Sequence, residues 1–130
     1  SPKTVFNYVA CDNKFEESFA QFLHNAEDVE AFAKIPQQFG FSIQYTDTRA
    51  NIRHYYPDFV VKLKNAGHWL VETKGQEDVT VRLKDQAAHN WCDNATALTD
   101  ESWQYLKVGQ KDFETLHPGD FAELTLALAT

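Results

Sequence analysis

Apolar and polar positions alternate with two different periods along the chain. Phe15, Phe19, Phe22, Leu23 and Ala26 recur at helical spacing, and Val29, Phe32 and Ala33 follow them. This predicts one helix from Lys14 to the residue before Pro36, capped by Asp12 or Asn13, with a break allowed around residues 25–28. A short strand at residues 5–9 precedes it. Residues 39–45 (FGFSIQY) alternate in strand fashion, and residues 46–51 (TDTRAN) read as a loop or wide turn.

Residues 56–75 (YPDFVVKLKNAGHWLVETKG) then hold two apolar runs, Phe59-Val60-Val61 and Trp69-Leu70-Val71, around a turn-like Asn65-Ala66-Gly67. After Gln76-Glu77-Asp78, one stripe of Leu83, Ala87, Ala88, Trp91, Cys92 and Ala95 marks a second helix. Residues 103–108 read as a strand and 109–119 as a loop containing Pro118-Gly119. Asp120 is then placed to cap a helix over residues 121–129. The order α-β-β-β-α-β-α predicts an α/β fold, a mixed sheet of about four strands flanked by helices.

The two runs of residues 56–75 carry charge where a core strand would not. Asp58 enters the first, and Glu72 and Lys74 leave the second. Charges at strand ends beside a packed core are costly unless paired, hydrated or metal-bound. A three-residue loop that pairs Lys64 with His68 places Asp58 across from Lys74 and Val60 across from Glu72, so Asp58 and Glu72 become diagonal neighbours. A two-residue loop puts the carboxylates on opposite faces unless a bulge corrects it. The bland alternative is a cross-strand salt bridge of roughly 0–1 kcal/mol.

At 130 residues with 43% hydrophobic positions, the chain is the size of a single domain over 1–130 with a real core. Cys11 and Cys92 lie far apart and match neither a disulfide framework nor a zinc pattern. No span-length apolar run and no signal-peptide pattern occur, so a cytoplasmic protein without a membrane partner is expected. The absence of methionine and the Ser-Pro start suggest a domain from a longer protein. A net charge of −7 argues against gripping nucleic acid by bulk electrostatics, although another domain could supply the grip. No phosphate-binding GxxxxGK[ST] loop or nucleophile elbow is present, and the five histidines show no metal-ligand pair at helical spacing.

Two carboxylates and a lysine suit phosphoryl chemistry. Asp58 and Glu72 offer oxygen ligands to a hard cation such as Mg2+, which also meets substrate phosphate, and Lys74 is placed to orient an attacking water or stabilise developing charge. Glu16, in line with Phe19, Ala20 and Leu23, points closer to the packed face than Glu17 and is the preferred further acid. Its alternative is a solvated helix face. Lys84 and Gln86, early in the second helix, either touch a phosphate or face water, while Trp91 and Trp103 read first as core.

Pro57-Asp58, an apolar run, a turn and Glu72-Thr73-Lys74 resemble the PD-(D/E)XK nuclease superfamily. More closely, Lys14-Phe15-Glu16 through Phe19, residues 41–45, 56–61 and 71–75, with Lys84, Trp91, Asn94 and Trp103, are similar in order and spacing to the endonuclease domain of type III restriction enzyme Res subunits and related helicase-nucleases. The likeness covers roughly residues 14–108, with Phe15 where that pattern often has Trp. It implies a restriction-endonuclease-like core and Mg2+-dependent DNA cleavage, with Mn2+ as a substitute. It also implies Asp58 and Glu72 as ligands, Lys74 as the catalytic lysine and Glu16 as the auxiliary acid, with a helicase motor or modification subunit as partner. The rival readings are a non-catalytic module of the same fold that binds nucleic acid or protein, and a metal-dependent hydrolase of another phosphate ester.

Overall fold

A computed structural model describes residues 14–35, 42–65, 67–74 and 79–128, with the side chains of Lys74 and residues 79–81 also outside the description. The expected strand at 5–9, the cap at Asp12 or Asn13 and the start of the 39–45 strand fall outside the described residues.

Helix α1 (Lys14–Asn25) buries Glu16, Phe19 and Leu23 and carries Glu16 and Glu17 in its first turn, where acidic groups complement the positive end of the helix dipole. It stops sooner than the periodicity suggested. Strand β1 (Val29–Lys34) follows, and Val29 and Phe32 are its buried residues. The helical spacing of that pair has a different cause. β1 runs antiparallel to β4 (Phe59–Leu63), with Val29 opposite Leu63 but Ala31 opposite Lys62, so a bulge at Glu30 adds one residue and brings Val29 and Phe32 to the same face. A bulged strand therefore imitates one turn of helix.

The main sheet has the order β1-β4-β5-β6. Strand β5 (His68–Lys74) is antiparallel to β4 and parallel to β6 (Trp103–Gly109). The parallel step requires a crossover, supplied by helix α2 (Val79–Leu98). The predicted α/β class, with a four-stranded mixed sheet flanked by helices, is what the structure shows.

Two strands lie outside this sheet. β2 (Ile43–Thr46) and β3 (Ile52–Tyr55) form a separate antiparallel hairpin, and residues 52–55 add a strand that the sequence pattern does not predict. Asp47 organises its turn by accepting hydrogen bonds from the Arg49 and Asn51 backbone N–H groups, each 2.9 Å, and from Arg53 Nε at 2.9 Å. The Arg53 hydrogen bond is the first of the contacts that lower its pKa to about 2.

Alternation along β4 and β5 gives the sheet two apolar faces. On one, Phe59, Val61, Trp69 and Val71 pack with Phe19 and Leu23 of α1 and with Phe121 and Leu124 of α4 (Phe121–Leu128). On the other, Leu70 and Tyr105 pack with Ile43 and Tyr55 of the hairpin and with Ala88 and Cys92 of α2. Trp91 and Trp103 meet edge to face at 5.3 Å beside this second core, as expected for packing residues. Residues 110–116, expected as loop, form helix α3 (Gln110–Leu116). Its Phe113 joins an aromatic cluster with Phe15, Phe19 and Phe22 at 5.9, 5.4 and 5.5 Å. One well-placed aromatic ring thus outweighs a weak apolar pattern.

Helix α4 is held at its N-terminus from a distance. Asp120 Oδ1 accepts from the Glu123 N–H at 2.9 Å, as its expected capping role requires. Asp28, in the turn before β1, accepts from the Phe121 and Ala122 N–H groups at 2.9 and 2.8 Å. These bonds tie the end of the chain to the start of the sheet. Asp28→Ala is expected to lower stability by about 1–2 kcal/mol, read as a fall in the urea midpoint with an unchanged slope. An unchanged midpoint would show that water replaces Asp28 without loss.

Candidate active site

The site lies where four element ends converge: the first turn of α1, the end of β1, the residue before β4 and the end of β5. Leu63 N donates to Gly67 O at 2.8 Å, and the Asn65 side chain accepts from the Gly67 N–H at 3.1 Å, so the connection spans residues 64–66. The hairpin therefore pairs Lys62 with His68 and Phe59 with Val71. This corrects the expected Lys64–His68 pairing. The difference is an even step, so the faces are kept while the partners change. Asp58 comes opposite Glu72 instead of diagonal to it.

Asp58 and Glu72 face each other across the β4–β5 pair, and the Glu72 side chain acts on the Asp58 carboxyl. Of these two acids in a poorly solvated place, Asp58 is held toward its charged form. Burial alone would raise the Asp58 pKa. The Glu72 side chain and hydrogen bonds from the Thr73 hydroxyl and the Thr73 N–H outweigh that effect, with the Lys34 charge assisting, and keep it below its ordinary 3.8. Both Thr73 bonds end on Asp58 Oδ2, at 2.7 Å from Oγ1 and 3.0 Å from N.

Glu72 is 4% exposed and Glu16 5%. The choice of Glu16 over the exposed Glu17 agrees with this burial. Glu16 reaches Asp58 indirectly. Lys34, the last residue of β1, has its ammonium 3.4 Å from Glu16 Oε1 and 3.7 Å from Asp58 Oδ1. Lys34 is set there by its pairing with Phe59 and by the Ile35 N–H donating to Asp58 O at 2.9 Å.

Lys74 lies two positions beyond Glu72 on β5, opposite Gly109 of β6. Lys84 holds its ammonium 5.9 Å from the centre of the Tyr55 ring. Gln86 is exposed, donates to Asn90 Oδ1 at 3.1 Å, and lines a cavity of about 380 Å³ against β2 with Ile43, Tyr45 and Trp91. The structure thus brings Asp58, Glu72 and Glu16 to one end of the sheet and leaves Gln86 in a different cavity.

Several polar groups here went unread in the sequence. Lys34 and Thr73 carry no pattern of their own and are found only through register. Tyr55, three residues before Asp58, is buried at the end of β3. Its hydroxyl faces Glu72 and Tyr105 without a well-formed hydrogen bond, and burial, then the Glu72 charge, raise its pKa far above that of an ordinary phenol. Behind it Tyr105 donates to Asp85 Oδ1 at 2.7 Å and Lys107 to Asp85 Oδ2 at 2.8 Å. Cys92 is a buried free thiol with its pKa pushed up to about 12 by burial, and so is no nucleophile.

Hard divalent cations take oxygen ligands and are commonly held by one or two carboxylates, with water and substrate phosphate completing the shell. Asp58 and Glu72, two carboxyls facing each other on neighbouring strands, fit that donor set. Among the described residues no three Asp, Glu, His or Cys side chains are placed to hold a metal ion together, and the Lys34 ammonium stands between Glu16 and Asp58.

A four-stranded mixed sheet flanked by helices is compatible with a restriction-endonuclease-like fold. The chain belongs to the Endonuclease domain family, whose model matches residues 2–126. Neither curated proteins nor solved structures give a match. Among the described residues no helix is long and apolar enough to cross a membrane.

Because the Asp58 pKa is lowered on folding, its contribution to stability is present above the unfolded carboxylate value of about 3.9 and is lost as pH falls through the folded value. Thr73→Val removes the hydroxyl donor and is expected to move the Asp58 titration upward, measured by carboxyl carbon NMR. An unmoved titration would mean that the hydroxyl does not hold the charge.

Proposed function

We propose that this domain hydrolyses DNA phosphodiester bonds with Mg2+, Mn2+ substituting, as the cleavage module of a type III restriction or helicase-linked enzyme. The observation that carries the reading is the meeting of Asp58 and Glu72 at neighbouring strand ends in a chain of the Endonuclease domain family. Asp58 and Glu72 would hold the cation, with Thr73 fixing the Asp58 carboxylate. When bound, the cation supplies Lewis-acid polarisation of the phosphate and a more acidic water. Lys74, next but one after Glu72, would orient the attacking water or stabilise charge on the phosphate. Lys84 adds positive charge beside Tyr55 for a substrate phosphate.

The net charge of −7 supports a reading in which another domain supplies the DNA grip. A helicase motor or modification subunit in the cytoplasm would supply it. The test is cleavage of plasmid DNA by the parent enzyme with Mg2+, comparing Asp58→Ala, Glu72→Ala and Lys74→Ala with the unaltered protein. Each substitution is expected to slow cleavage by more than about 100-fold while the far-UV spectrum is kept. Cleavage that survives Asp58→Ala would leave the domain a binding module. Equal hydrolysis of small phosphodiesters and DNA would make it a broader phosphodiesterase.

A further inference from the structure

Two of the acids described around the site share one cationic neighbour. Glu16, Asp58 and Glu72 are three acids with little access to solvent, and one ammonium, Lys34, lies between the first two. The Lys34 side chain is 12% exposed, with Glu16 and Asp58 at 7% and 16%. Buried charges must be compensated, because unpaired ones cost several kcal/mol each.

We propose that Lys34 is a positioning residue that takes the place of a second cation between Glu16 and Asp58, so that Glu16 stays out of the metal shell and the site holds one divalent ion at Asp58 and Glu72. The inference rests on the metal-dependent reading above and sharpens it, since it fixes how many ions the site takes and removes one expected ligand. Backbone pairing makes Lys34 a permanent occupant. It is the last residue of β1, opposite Phe59, and the next peptide donates to Asp58 O at 2.9 Å, so its Cα is tied to the residue whose carboxylate it faces. The ammonium is thereby delivered with the sheet and does not depend on a mobile segment.

Lys34→Met keeps the length of the side chain and removes its charge, leaving Glu16 and Asp58 facing each other. That variant is expected to bind two Mn2+ per chain by electron paramagnetic resonance titration into the millimolar range, where the unaltered protein and Lys34→Arg bind one. Its thermal midpoint should fall in EDTA and recover in excess Mn2+. Should Lys34→Met fail to fold in EDTA, the double variant Glu16→Gln, Lys34→Met removes the excess charge, and is expected to fold and to bind one Mn2+. Two ions in the unaltered protein, or one ion at unchanged affinity in Lys34→Met, would overturn the proposal while leaving the metal reading intact. No Mn2+ bound by any of the proteins would overturn both.

Discussion

The register between β4 and β5 sets two carboxyls, Asp58 and Glu72, against each other at the end of a sheet whose body is apolar, and the surroundings answer to that juxtaposition. Like charges brought together in a poorly solvated place repel each other, so the pair is stabilised by a nearby cation. The neighbouring residues favour charge on Asp58 in particular. Thr73 gives it two donors, and Lys34 brings an ammonium from β1. A sheet that merely needed to be stable would do better with apolar residues at these positions, because replacing a buried ionic group by well-packed hydrophobic ones is often neutral or stabilising.

The rest of the fold braces that end of the sheet. Phe59 and Val71, which follow and precede the two acids, are fully buried in the core shared with α1 and α4. The hairpin β2-β3 and α2 close the other face, and from there Tyr55 presents its hydroxyl toward Glu72. Asp28 ties α4 back to the entry of β1 and so braces the strand that carries Lys34. Catalytic geometry tolerates little displacement, and a constellation set at strand ends over two packed cores meets that need better than one built on loops.

The fold class was legible because its main signals are long-range repetition: the Phe15 to Ala26 stripe, the α2 stripe and two apolar runs around a turn. What misled the reading was local. The bulge at Glu30 gave β1 a helical spacing, and α3 has little apolar pattern beyond Phe113. Asp58, Glu72 and Glu16 could be picked out because charge beside apolar runs is costly and therefore informative. Lys34, Thr73 and Tyr55 could not, since a lysine ending a strand, a threonine within one and a tyrosine beside a histidine are each ordinary in sequence. Only the register shows what they face. The loop over residues 64–66 illustrates the limit: parity was readable from the alternation, but the offset was decided by Asn65 and the Leu63–Gly67 pairing.

The central claim is that Asp58 and Glu72 together form a divalent-cation site. Crystals soaked in Mn2+ and measured at the manganese absorption edge test it most directly. The account predicts an anomalous peak bridging the Asp58 and Glu72 carboxylates, with Lys34 still between Asp58 and Glu16. A peak held by Glu16 without Glu72, or no peak near Asp58 at saturating Mn2+, would contradict it.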